Sequence, residues 1–107
     1  MHHITAPELA AWLADASRAQ PVLLDVREPW EFQQGMIDGA VALPMQSIPG
    51  RVQELDEDAI TVCICHHGSR SAQVAQFLAQ QGFGQVINLT GGMHAWATQV
   101  DTAMATY

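Results

Sequence analysis

Two hydrophobic rhythms alternate along the chain. Val22-Leu23-Leu24-Asp25-Val26, Ala40 to Leu43, Ile60 to Cys65 and Val86-Ile87-Asn88-Leu89 are short, dense apolar runs, read as strands of a parallel sheet. Between them apolar residues recur at helical spacing: Leu9, Trp12 and Leu13, then Val74, Ala75, Phe77 and Leu78, with a final helix around His94-Ala95-Trp96-Ala97. Thr5-Ala6-Pro7-Glu8 offers a cap, a first-turn proline and a capping-box glutamate, so the first helix should run to about Ser17, before Gln20-Pro21 breaks it. Pro29 opens a short helix expected to carry Trp30 and Phe32 inward. Gly35 to Gly39 is a turn cluster, and a weaker amphipathic segment spans roughly Met45 to Leu55. Asp56, Glu57 and Asp58 form an acidic connection with Arg51 as a nearby partner. The helix from Ser71 stops at Gly82, and Asp101 to Tyr107 reads as a tail. The alternation predicts an α/β fold: a central parallel sheet of about five strands with helices on both faces.

Length and composition narrow this further. A chain of 107 residues suits one domain, 1–107, and 49% hydrophobic against 14% charged residues excludes disorder. There is no lysine, the only fixed cations are Arg18, Arg27, Arg51 and Arg70, and the net charge is −7. That balance argues against nucleic acid and against an anionic membrane surface. An anionic substrate meets net repulsion, so an anion site has to be built locally from an arginine and oriented backbone N–H groups. No leader pattern or spanning apolar run is visible, which points to the cytoplasm, where Cys63 and Cys65 would stay reduced. A monomer is the default expectation.

The chemistry concentrates after Cys65. It ends the most β-prone stretch and opens a loop, His66-His67-Gly68-Ser69-Arg70, that leads into a helix. Open parallel sheets place their sites at this edge. Gly68 permits positive φ, successive N–H groups can form an anion nest, and the helix N-terminus and Arg70 add positive charge. Such a field favours the nucleophilic thiolate; a buried inert cysteine would need neither the glycine loop nor the arginine. Only four residues separate Cys65 from Arg70, too tight a ring for a tetrahedral phosphate but enough for a single sulfur atom. His66 and His67 read as rim residues rather than as a base for Cys65. Asp25 and Arg27 read as an ion pair fixing the loop after a strand, with Glu28 or Glu31 equally able to pair with Arg27. Cys63 faces the same side of its strand as Cys65 and reads as core, as do Trp12, Trp30 and Trp96. Cys63, Cys65, His66 and His67 lie too close in sequence to surround one ion, and nothing in the sequence brings His2, His3 or His94 to them, so no metal site is expected. Gly91-Gly92 matches no nucleotide loop and reads as a tight turn; no cofactor is expected.

The motifs, taken together, resemble the single-domain rhodaneses, a family of sulfurtransferases, over nearly the whole chain. Asp25-Val26-Arg27-Glu28 with Glu31-Phe32 resembles the family's first motif, and Gly35-Met36-Ile37-Asp38-Gly39-Ala40 with Leu43-Pro44 its second, with Met36 where histidine is usual. Cys65 to Ser71 resembles the active-site loop, and Asn88-Leu89-Thr90-Gly91-Gly92-Met93 with Ala95-Trp96 the closing motif. The resemblance implies a rhodanese-like fold and a Cys65 persulfide formed from a donor such as thiosulfate and passed to cyanide or a thiol. It implies donor binding by His66, His67, Gly68, Ser69 and Arg70, with Asp25, Arg27 and Ser71 in support. The tail from Trp96 resembles rhodanese modules fused to adenylylating sulfur-carrier enzymes, which implies a cysteine desulfurase or a sulfur-carrier protein as partner. The alternatives are a phosphatase or arsenate reductase on the same fold, and a non-catalytic binding module.

Overall fold

The computed structural model describes residues 1–107. Five strands form one sheet: β1 (His2–Ile4), β2 (Val22–Asp25), β3 (Val41–Ala42), β4 (Ile60–Ile64) and β5 (Gln85–Leu89). Their order is β1-β5-β4-β2-β3 and every pairing is parallel. Four of these strands coincide with the apolar runs. The fifth, β1, carries no such run; its pairing with Ile87 to Leu89 of β5 makes it a strand.

Side chains alternate across a strand, so β4 feeds two cores. Val62 and Ile64 pack with Leu23 against Leu9 and Trp12 of α1 (Ala6–Ala14) and with Met93 and Trp96 of the final helix. Cys63 and Cys65 face the other side, with Leu24, Val26 and residues Val74, Ala75 and Leu78. Helices thus cover both faces, as the α/β reading requires.

Local differences from the sequence reading have local causes. The Thr5–Glu8 capping box forms, but α1 stops at Ala14 rather than near Ser17, because the Asp15 carboxylate accepts the Ser17 N–H and hydroxyl. α2 (Pro29–Phe32) is a single turn that departs from expectation at Trp30, which is 54% exposed while Glu31 is buried; Phe32 is partly buried beside Arg27. Trp30 donates instead to Glu28 Oε2, and Glu31 finds cationic and hydroxyl partners described below. α3 (Ile48–Arg51) lies between two 3₁₀ turns, and Arg51 pairs with Glu54 rather than with the acidic run. α4 (Ser69–Gln80) begins two residues before Ser71, inside the loop. α5 (Gly92–Gln99) closes the regular structure.

From β2 the chain moves outward to β3; from β4 it moves the other way, to β5. The carboxyl ends of β2 and β4 therefore meet at the switch point of the sheet, where Asp25 is in register with Ile64. Cys65 follows β4 at that place.

Candidate active site

Cys65 is buried, and two donors converge on its sulfur. The Gly68 N–H donates to Sγ at 3.0 Å, and the Ser71 hydroxyl lies 3.2 Å away. Gly68 has φ +110°, a left-handed conformation that turns its N–H back to the sulfur and starts α4. Asn88 supports both donors: its Oδ1 accepts from the Ser71 hydroxyl, and its Nδ2 donates to Gly68 O at 3.2 Å. The single Ser71 proton is shared between Asn88 and Sγ, so a thiolate competes for it directly.

The loop is clamped from beyond. Met93 N–H donates to Cys65 O at 2.8 Å and His94 N–H to His66 O at 3.0 Å, so the start of α5 holds two loop carbonyls. This approach requires Gly92, where any Cβ would collide with the carbonyl oxygens of Cys65 and His66. The Gly91-Gly92 turn is therefore also a seat for the loop.

Charges form a separate layer. Arg27 is fully buried and donates through Nε and Nη2 to Asp25 at 2.7–3.1 Å, and to the carbonyls of Glu31 and Gly35. Burial opposes its charge, yet Asp25 and Tyr107 hold its protonation above the ordinary range. Arg70 forms a two-pronged pair with Glu31, Nη1–Oε1 2.6 Å and Nη2–Oε2 2.9 Å. Arg70 holds the Glu31 carboxyl down to about 2, against the opposing effect of burial. Of the pairings open to Arg27, the one with Asp25 forms; Glu31 gives Arg27 only its backbone carbonyl and its carboxylate takes Arg70. Tyr107 returns from the tail to this layer, accepting from Arg27 Nη1 at 2.9 Å and donating to Glu31 Oε2 at 2.8 Å. Its ring stacks on His66 at 4.1 Å between centroids.

His67 and Ser69 are exposed, and Arg70 keeps 34% of its side chain accessible. His66 is half-buried; desolvation, then the neighbouring His67, lowers its pKa. Cys63 meets no donor, and burial pushes its thiol up to about 12. Sequence reasoning missed Asn88 as the support of Ser71, Glu31 as the partner of Arg70, and the return of Tyr107. Asn88 carried a visible signal, a lone amide in an apolar strand; the other two depend on long-range contacts.

A parallel α/β sheet that presents a cysteine in a glycine-turned loop, ahead of a helix N-terminus, defines a class of α/β domains by its fold and loop. Residues 5–99 match the family described as rhodanese-like domain, and the chain belongs to that family. It is 43% identical to a sulfurtransferase of Allochromatium vinosum over 91% of this chain and 89% of that protein. It is 40% identical to the thiosulfate sulfurtransferase GlpE of Pseudomonas syringae, over 79% of this chain and 81% of that one. A crystal structure of a rhodanese-like domain protein from Staphylococcus aureus superposes with TM-score 0.83 at 34% identity, covering 90% of this chain and 91% of that one. No helix is long and apolar enough to cross a membrane.

Proposed function

We propose that the chain transfers sulfane sulfur through a persulfide on Cys65. The observation that carries this reading is the convergence of the Gly68 N–H and the Ser71 hydroxyl on Sγ. The Cys65 thiolate attacks the outer sulfur of a small anionic donor such as thiosulfate. The donor's sulfur–sulfur bond breaks, sulfite leaves with the electron pair, and Cys65 carries the persulfide anion. Cyanide or an acceptor thiolate then attacks the terminal sulfur and restores the thiolate. N–H groups at the start of α4 stabilise the anion without rearranging, as preorganised donors do in oxyanion sites. Glu31 fixes Arg70 at the loop's end, leaving its remaining N–H groups to orient the donor. The name of one relative, the thiosulfate sulfurtransferase GlpE, supports thiosulfate as a donor. A protein persulfide from a cysteine desulfurase, or a sulfur-carrier protein as acceptor, fits the same chemistry.

The test is intact mass after incubation with thiosulfate. A gain of about 32 Da, one sulfur atom, is expected in native protein and in Cys63→Ser, removed by cyanide and absent from Cys65→Ser. No gain with thiosulfate or with a persulfide donor, or an undiminished gain in Cys65→Ser, would overturn the reading. Turnover of an aryl phosphate without any mass gain would favour phosphatase chemistry instead.

A further inference from the structure

Three imidazoles, none of which takes part in the bond-making steps of the proposed sulfur transfer, stand together at the loop. His66 and His67 follow Cys65 in the chain, and α5 brings His94 against them. One ring nitrogen from each can be chosen so that all three lie within 4.8 Å of one another. Ring centroids are 4.0 Å apart for His66–His67 and 5.1 Å for His67–His94. His66 Nδ1 is buried and has no hydrogen-bond partner, so no protein group fixes that ring's tautomer.

We propose that His66, His67 and His94 form a binding site for a divalent transition-metal ion of the zinc class. Zinc–imidazole bonds of about 2.0–2.1 Å place tetrahedral donor nitrogens roughly 3.4 Å apart. His66 and His94 are the farthest pair, with ring centroids 6.0 Å apart, so binding requires side-chain rotation, which the exposed positions of His67 and His94 allow. The frame itself does not have to move. The His94 N–H to His66 O bond joins the two segments, and Tyr107 stacks on the His66 ring. Imidazole donors suit zinc, copper and nickel, and three of them leave a fourth position for water or a small anion, as in open rather than closed sites. The net charge of −7 attracts a cation. This is a contribution of His94 that sequence spacing did not reveal, since it lies on a different element from the loop.

The proposal is tested on the full chain without a polyhistidine tag. Equilibrium dialysis against Zn²⁺ is run on protein carrying Cys63→Ala and Cys65→Ala, so no thiolate can bind, and Co²⁺ is used as a spectroscopic probe of the native chain. One Zn²⁺ per chain is expected. His67→Ala and His94→Ala should each weaken binding by about tenfold or more, whereas His2→Ala with His3→Ala should leave it within about twofold. The Co²⁺ form should show visible ligand-field bands of a four-coordinate site without a sulfur-to-cobalt charge-transfer band. Thermal melts confirm folding of the variants, whose replaced His67 and His94 side chains are exposed. Absence of bound Zn²⁺, equal affinity in His94→Ala, loss of binding with His2 and His3, or a sulfur charge-transfer band would overturn the site. Binding is read without sulfur transfer, so this result is independent of the proposed activity.

Discussion

Cys63 and Cys65 lie two residues apart, face the same side of the sheet, belong to the same core cluster and are both at most 1% exposed. Within β4, Cys63 sees apolar neighbours, and burial pushes its thiol up to about 12. Beyond the end of the strand, Cys65 receives the Gly68 N–H and the Ser71 hydroxyl. Burial is common to both, so what distinguishes them is the supply of donors: regular pairing stops at the end of the strand, and backbone and side-chain donors become available to a side chain there.

The sharpest way to break this comparison is to alkylate both thiols. At pH 8 a thiol with pKa about 12 is ionised in roughly one molecule in ten thousand. Iodoacetamide mapping by peptide mass should therefore show Cys63 labelled extremely slowly, and Cys65 labelled faster by orders of magnitude, while the protein is folded. Comparable rates would remove the distinction.

The next effect separates scaffold from reactivity. Asp25→Asn leaves Arg27 buried with one hydrogen-bonding partner short of charge, and urea denaturation should show a loss of about 3 kcal/mol. The labelling preference for Cys65 in the remaining folded protein should persist. Collapse of that preference would place Asp25 and Arg27 in the chemistry rather than beneath it.

Glu31 gives a pH-dependent version. Its folded pKa, about 2, lies below the ordinary value of 4.5, so its contribution to stability is complete above about pH 4.5 and fades as pH falls toward 2. Allowing for an Arg70 side chain that is 34% exposed, that contribution is about 2 kcal/mol. Glu31→Gln should be less stable at pH 7 by this amount and should show a flatter acid limb in melts between pH 5 and 2.

Ser71→Ala removes one donor from Cys65 and leaves Cys63 untouched. The rate of persulfide formation should fall about tenfold, equivalent to about 1.4 kcal/mol, with little change in the labelling of Cys63. The smallest expected effect is Tyr107→Phe. It deletes the hydroxyl between Arg27 and Glu31, and thermal denaturation should report about 0.5 kcal/mol.

What the sequence made legible was whatever a short stretch of chain decides for itself. The dense runs in β2, β4 and β5, the Thr5–Glu8 box and the positive φ of Gly68 all follow from neighbours within a few positions. The pairing of Asp25 with Arg27 belongs to the same category. The missed features are set by partners far along the chain. β1 exists because β5 offers it an edge, and Glu31 turns inward because Arg70 is there, 39 residues later. That inward turn displaces Trp30, which a hydrophobic pattern alone would bury. His94 and Tyr107 reach the loop only once α5 is seated against it.

The seating of α5 on the loop has a consequence for the order in which the molecule is made. Synthesis delivers Cys65 well before Asn88, Gly92 and Met93, a delay of a second to several seconds at roughly 5–20 residues per second. A nascent chain that has emerged only as far as Leu78 carries the sulfur and the Gly68 turn. It has neither the amide that props Ser71 nor the N–H groups that hold the carbonyls of Cys65 and His66. The surroundings of the Cys65 sulfur are therefore completed late, by residues translated after it.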